Sequence, residues 1–542
     1  MTFPDFAVNN QNGGYSTMQP NIIFICADQM AAASVGCYGS KINSTPTLDM
    51  LAREGVRFDR CYTTSPLCSP NRAAMLTGRS PVVCGVTTNN MLLNTDTPTY
   101  AHVLKHYGYR TGGFGKFHQT PMMIPLPADL NYLGFDESIP TEDPKWGPWI
   151  EWISKEHPEH LDVALAHAWQ WPDRPKPMLS HRAEEARQQY LAPAIGQSGW
   201  GNMYHSPLPK EVHDSTFITN RSIDFIDRHL SEYRDKPFFC YVSYVDPHDP
   251  YNPPAPYDTM FSPEDMEDPV GKEWDDGKFP VLERYSRVHG YNEFRKDPDR
   301  VRKMKALYHG SVRFVDDEVG RIVNFVKQKG MIENTVILFT TDHGDMIGDH
   351  GLITKMAMHY DKSVRCPLIV YGRNVAKGKN CHGLTCALDF FPTFCDWAGI
   401  DEELRPPLEG KSFAGACQPK EETKRWNEIS VSFGGVTSVV TDDGWRLSCY
   451  LTPGNMKKAT YTNQMFNLVD DPDEQTNLYY DINYTDKKIE LLERMVKVLE
   501  LPRNLRQYRN MIIENKKRVW FYPAREVPLY GMDPNPFLQL QE

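Results

Sequence analysis

Four short strand-like runs, each breaking abruptly into a polar cluster, constrain this chain more than any other feature. Asn21 to Ala27 runs into Asp28-Gln29, and Tyr109 to Phe114 into Gly115-Lys116-Phe117-His118. Pro237 to Val245 runs into Asp246-Pro247-His248, and Thr335 to Thr341 into Asp342-His343-Gly344-Asp345. The mainly apolar runs at Asn21, Pro237 and Thr335 read as strands covered on both faces, the mark of a mostly parallel sheet between layers of helix, and Tyr109 to Phe114 reads as a further short strand. In such a sheet the loops at the carboxyl ends of the strands meet along one edge, where ligands bind. The four polar clusters are therefore expected to converge.

The stretches between these runs supply the helices. Thr45 to Gly55 reads as a capped helix, as do Thr97 to Gly108 and Ser215 to Tyr233, and Val315, Val319, Ile322, Val323 and Val326 form an amphipathic stripe stopped by Gly330. From Asn131 to Met203 periodicity fades and Trp146, Trp149, Trp152, Trp169, Trp171 and Trp200 accumulate, which reads as an irregular insertion that walls the pocket or packs against the main body. Pro406-Pro407 suggests a boundary, with residues 1–405 as the catalytic domain and 406–542 as a smaller one. In the latter, Trp426 to Tyr450 alternates apolar and polar residues around turns at Gly434-Gly435 and Asp442-Asp443-Gly444, the pattern of an antiparallel meander. A helix over Asp486 to Leu499 follows, then a Pro- and aromatic-rich tail expected to lie on this subunit or on a neighbouring copy in a homo-oligomer. The fold class expected is α/β, a large mixed, mostly parallel sheet flanked by helices, with a C-terminal α+β domain.

Composition narrows the function. With 542 residues, 40% hydrophobic and 24% charged, the chain is globular, and a net charge of −11 argues against a nucleic-acid partner. No stretch is long enough to cross a membrane, so no membrane partner is expected. Met1 to Gln19 is polar and shows no secretory leader, and the twelve cysteines lack C-x-x-C spacing and read as reduced thiols, so the cytoplasm is the expected compartment.

Cys68-Ser69-Pro70-Asn71-Arg72 is the remaining signal. Pro70 suits the first turn of a helix. Cys68 then stands at a helix N-terminus, where free amides and the dipole favour an anion, with Arg72 one turn in. Taken singly, Cys68 also reads as a buried thiol, Asp28 as a helix cap, Lys116 and His118 as a surface pair, and His248 as a structural residue. Their common placement after buried strands turns them into one candidate site.

At this point the chain resembles a known family. C-x-P-x-R followed by Leu76-Thr77-Gly78-Arg79 is similar to the signature of sulfatases, members of the alkaline phosphatase superfamily, in which the cysteine is oxidised to formylglycine. Gly115-Lys116-Phe117-His118, the Asp246 to Tyr251 segment, and Thr341 to Asp345 with Gly348 to Leu352 and Lys355 resemble further sulfatase motifs. The resemblance implies a sulfuric ester hydrolase acting on a small-molecule or saccharide sulfate, matured by a formylglycine-generating enzyme. It implies one divalent cation held by Asp28, Asp342, His343 and the modified Cys68, with calcium first and manganese or magnesium next. Gln29 stands where many arylsulfatases have a second aspartate, a pairing similar to choline sulfatases and phosphonate monoester hydrolases. By the same resemblance, a hydroxyl of the formylglycine hydrate attacks sulfur. Arg72, Lys116 and Lys355 hold the sulfuryl oxygens, Gln29 lines the substrate site, and His248 with Lys355 protonates the leaving oxygen. His118 takes the proton that releases sulfate. The alternatives are a phosphonate monoester or phosphodiester hydrolase with the same site, and a non-catalytic binding protein on this scaffold.

Overall fold

The computed structural model describes residues 19–121, 129–168, 181–190, 202–271, 297–355, 359–419, 425–450 and 463–503. Its main sheet is made of β1 (Asn21–Ala27), β2 (Val56–Tyr62), β3 (Arg110–Gly115), β4 (Glu137–Pro140), β5 (Phe238–Ser243), β6 (Thr335–Thr341), β7 (Arg365–Gly372), β8 (Lys379–Cys381) and β9 (Thr385–Cys386). The strand order is β4-β3-β5-β1-β6-β7-β2-β8, and β9 also pairs with β2. The four runs are thus adjacent, as β3-β5-β1-β6, and parallel. Only β7 runs against the rest, pairing antiparallel with both β6 and β2.

The side chains of β1 show why such a run is apolar from Ile22 to Ala27. Ile23, Ile25 and Ala27 pack into one core with the helices Pro46–Glu54, Asp214–Glu232 and Pro298–Gln328, whereas Ile22, Phe24 and Cys26 pack into a second core with Cys68–Thr77, Tyr100–His106 and Phe390–Trp397. Every residue of β1 is buried, and its one polar residue, Asn21 at the start, is paired: its side-chain oxygen accepts from the Phe238 amide at 3.1 Å, whereas an unpaired polar side chain at either parity would lose its water at a cost. The stripe expected at Val315 to Val326 belongs to a helix of 31 residues whose buried face begins at Val301. Strands β2 and β7 were not read from the sequence. In β2 the half-exposed Arg57, Asp59 and Arg60 interrupt the apolar pattern.

The stretch from Asn131 to Met203 departs from its irregular reading. It adds β4 to the edge of the sheet and carries the helices Pro148–Glu156, Leu161–Ala168 and His181–Tyr190. Periodicity fades because these helices are short and gather round one aromatic side chain. Trp149 is fully buried with Ile153, Ala164, Leu208 and Phe217, and its indole donates to the Val212 carbonyl at 3.0 Å. Trp146 and Trp152 pack against the same cluster. Trp169, Trp171 and Trp200 lie outside the described residues, as does the tail from 504.

The second sheet is the expected meander, β10 (Glu428–Phe433), β11 (Val436–Thr441), β12 (Trp445–Tyr450) and β13 (Gln464–Asn467), antiparallel throughout. Leu491 and Met495 of the helix Thr485–Arg503 cover one face over Val439, Leu447 and Met465. On the other face, Ile429, Val431 and Val440 join Val364 and Leu384 of the main body. All twelve cysteines are free thiols, and among the described residues no helix is long and apolar enough to cross a membrane.

Candidate active site

The site lies where β1, β3, β5 and β6 end. Asp28 follows β1, Lys116 and His118 follow β3, His248 follows β5, and Asp342 and His343 follow β6. The chain leaves β3 through Gly115 at φ +101°, where a Cβ would stand 1.8 Å from the Ser243 carbonyl oxygen, so only glycine allows this turn. The helix Cys68–Thr77 brings Cys68 to this edge, with Cys68 its first residue and Leu67, still extended, its cap.

Here Asp28, Cys68, Asp342 and His343 each offer one donor atom, and these atoms all lie within 4.8 Å of one another. Cys68 Sγ stands 3.1 Å from His343 Nε2 and 3.9 Å from Asp28 Oδ1. The other imidazole nitrogen of His343, Nδ1, lies 3.0 Å from the Gly344 carbonyl, which can only accept. Nδ1 therefore carries the proton, and the Nε2 lone pair points at the two carboxylates and the thiol. Asp342 is oriented by the amides of Gln29 (3.1 Å) and His343 (2.9 Å) on Oδ1 and by Arg72 Nε (2.7 Å) on Oδ2.

Arg72 is committed to the protein on every side. Its Nη1 donates to the Lys116 carbonyl (2.7 Å), Ser243 Oγ (2.8 Å) and Tyr241 OH (3.1 Å), and its Nη2 to Asp28 (3.3 Å). Lys116, fully buried, forms ion pairs with both Asp28 and Asp143. Lys355 Nζ lies 2.5 Å from His248 Nε2 and 2.5 Å from Gln29 Oε1. The Gln29 amide nitrogen in turn donates to Asp345 (2.6 Å) and Asp249 (3.3 Å). Both ring nitrogens of His118 are buried without a hydrogen-bond partner, and its main-chain amide donates to Glu142 at 2.8 Å.

These contacts set the charges. Burial raises the Asp28 carboxyl, but Lys116, His248, Arg72 and Lys355 outweigh it and hold the group well below the usual carboxylate range. Asp342 is likewise lifted by burial and brought below its ordinary value by Arg72. The Cys68 thiol is pushed up to about 12, by burial first and Asp28 next, so as a thiol it stays protonated and weakly nucleophilic. Burial lowers His343 to about 4, and burial together with Lys116 lowers His118 to about 3, which leaves both rings neutral.

All ten residues singled out from the sequence meet at this edge: Asp28, Gln29, Cys68, Arg72, Lys116, His118, His248, Asp342, His343 and Lys355. Several others were missed. Asn71, at an unspecified position of C-x-P-x-R, donates to the Asp342 carbonyl at 2.6 Å and accepts from the Thr64 amide at 2.9 Å, clamping the Cys68 helix to the end of β6. Tyr308 accepts from the Ala31 amide (2.9 Å) and donates to the Gln29 carbonyl (3.0 Å), holding the turn after β1. Glu142 and Asp143 grip the Lys116-His118 loop from the insertion. Only the proximity of two acids to Trp146 in an otherwise featureless stretch marks them in the sequence.

The doubly wound sheet and the buried set of carboxylates, imidazole, thiol and cations define an alkaline-phosphatase-like hydrolase site. Comparison with known proteins narrows the class: the sulfatase family model matches residues 20–400, and the model for the C-terminal region of N-sulphoglucosamine sulphohydrolase matches residues 348–500. The chain belongs to the sulfatase family and is a sulfatase, an enzyme of sulfate-ester hydrolysis. It is 28% identical over 509 residues to an arylsulfatase of Clostridium perfringens, spanning 89% of this chain and 95% of that protein. It is also 28% identical over 472 residues to a choline-sulfatase of Rhizobium meliloti, spanning 85% and 83%. Among solved structures, a phosphonate monoester hydrolase of Agrobacterium radiobacter shares the fold with a TM-score of 0.71 at 22% identity, over 89% of this chain and 96% of that one.

Proposed function

We propose that the enzyme cleaves a small-molecule or saccharide sulfate monoester with Cys68, as formylglycine, for nucleophile and one divalent cation held by Asp28, Asp342, His343 and residue 68. The observation that carries this reading is the convergence of those four donor atoms within 4.8 Å beside Arg72 and Lys116. The donor set fits a cation: two carboxylates repel each other there, and the His343 lone pair faces them. Oxygen donors favour calcium, and the imidazole makes manganese or magnesium the next choice. When bound, the cation supplies positive charge to the sulfuryl oxygens and to the nucleophile. Formylglycine supplies a hydrated aldehyde, whose hydroxyl is the attacking oxygen.

The remaining roles follow from the contacts. Arg72, spent on Asp28, Asp342 and the end of β3, is a positioning residue for the metal-binding carboxylates in place of the sulfuryl contact expected of it. Lys116 and Lys355 carry the charge that receives the sulfuryl oxygens. His248 Nδ1 lies 2.6 Å from the Asp249 carbonyl and so holds a proton, leaving Nε2 to share another with Lys355. That pair delivers a proton to the departing oxygen. His118, neutral and without a hydrogen-bond partner, is suited to accept a proton as sulfate is released. Testing this needs purified enzyme with 4-nitrophenyl sulfate, choline sulfate, monosaccharide sulfates and a phosphodiester. Turnover of at least one sulfate ester above the phosphodiester is expected, and the reverse preference would overturn the sulfate assignment.

A further inference from the structure

Asp143 is the outermost charged group of the buried network. Its side chain is 10% exposed, whereas those of Lys116 and Asp28, its neighbours in the network, are 0% exposed. It comes from the loop after β4, which Glu142 fixes to the Lys116-His118 turn by accepting from the amides of Phe117 (3.0 Å) and His118 (2.8 Å). The carboxylate is therefore held in place and not free to swing into water. It also lies within electrostatic reach of His248, the residue on the leaving-group side.

Asp28 and Asp143 both already draw on the Lys116 ammonium, and an arriving sulfate must share its three N–H donors with them, which weakens its hold on Asp143. When sulfate draws on the Lys116 ammonium, Asp143 keeps its charge in a site that excludes water, and a buried carboxylate deprived of its partner is strongly unfavourable. The cost vanishes if the substrate brings its own donor to that oxygen. We propose that Asp143 is a specificity-determining residue that accepts a hydrogen bond from an O–H or N–H group carried next to the esterified oxygen, so that the preferred substrates are sulfates of vicinal diols or amino alcohols. This rests on the sulfate-ester reading above and extends it to the alcohol.

The test compares four sulfates: cyclohexyl sulfate, 2-hydroxycyclohexyl sulfate as cis and trans isomers, 2-aminocyclohexyl sulfate, and 4-nitrophenyl sulfate. A hydrogen bond to a charged acceptor predicts that kcat/KM of the wild-type enzyme for the better hydroxy isomer exceeds that for cyclohexyl sulfate by about 10- to 100-fold. In Asp143→Ala that ratio should fall close to one. In Asp143→Asn, which keeps an acceptor and loses the charge, the hydroxyl preference should persist in part and the amine preference disappear. A wild-type enzyme indifferent to the neighbouring group overturns the proposal whatever the variants do, which covers the case that Asp143→Ala does not fold. A common loss on all four substrates in Asp143→Ala, with the ratios intact, also overturns it and leaves Asp143 as a support for Lys116 alone. Failure of the wild-type enzyme on every sulfate overturns the sulfate-ester reading itself, a result distinct from either.

Discussion

Arg72 Nε donates to Asp342 Oδ2 at 2.7 Å while the other oxygen of the same carboxylate takes two main-chain amides. Asp342 is thereby aimed before any cation arrives, and it is one of only two carboxylates in the donor cluster. Asp342→Ala is expected to lose the bound divalent ion and to lower turnover by more than the ~10- to 100-fold typical of groups that merely support a ligand. Metal analysis of the purified variant beside the wild type checks it. Full occupancy in the variant would take Asp342 off the ligand set.

Cys68 in active enzyme is expected to be formylglycine. As a thiol it is held protonated in a closed pocket, and a thiol offers no hydrate. Mass spectrometry of the peptide containing residues 68–72 decides this, and an unmodified cysteine in fully active protein would refute the proposed chemistry.

The contact between His248 and Lys355 bears on the leaving group. General acid assistance is worth ~10²- to 10⁴-fold where an alkoxide departs and much less for nitrophenolate. His248→Ala should accordingly lose about that factor on alkyl sulfates and little on 4-nitrophenyl sulfate. With Lys355 sharing the proton at 2.5 Å, the contrast should widen in the double variant. The readout is kcat/KM against leaving-group pKa. A slope no steeper than the parent's in both variants would mean that the pair binds substrate without donating the proton.

Asn71 joins three partners that have no other source of satisfaction on that side of the helix: the Asp342 carbonyl and the Thr64 amide and hydroxyl. Asn71→Ala should cost about 1–3 kcal/mol of stability by stranding buried polar groups. Urea unfolding of the two proteins measures it, and a loss within error would show that water replaces the amide.

Acid should weaken the fold through His309, which is buried against Ser44. Burial, then Lys362 and Lys305, lower His309 to about 3, against 6.5 for an exposed histidine. Between those values the unfolded chain binds a proton that the native one refuses. The stabilisation is therefore complete above 6.5 and is lost as pH falls toward 3. The slope is ~1.4 kcal/mol per pH unit for one such group. In His309→Gln the stability difference between about pH 7 and about pH 5 should shrink by ~2 kcal/mol relative to wild type, measured by urea unfolding. An unchanged difference would mean that His309 is protonated in the native protein.

What the sequence disclosed was whatever repeats a local pattern. The runs at Asn21, Pro237 and Thr335 announce themselves because a strand covered on both faces is mostly apolar, as β1 is from Ile22 to Ala27, and the shorter run at Tyr109 is marked by the polar cluster that follows it. The candidate site followed from them, since each run ends at one of the residues that the structure brings together. Strand β2 escaped notice because Arg57, Asp59 and Arg60 take part in side-chain contacts at the sheet margin and break the apolar pattern. Asp143, Asn71 and Tyr308 escaped for a different reason. Each acts across a long separation in sequence, on Lys116, Asp342 and Gln29, and no spacing rule encodes that.

The depth of residue 68 has a temporal consequence. Its side chain is completely covered, one end of its helix is pinned by Asn71 to the Asp342 carbonyl, and the other carries Ala73, Met75 and Leu76 into the second core. Another protein's catalytic site cannot reach such a thiol without prising the helix off the sheet. Any enzyme that alters Cys68 must therefore win a race against folding, and a chain that closes first is shut out of maturation for as long as it stays folded.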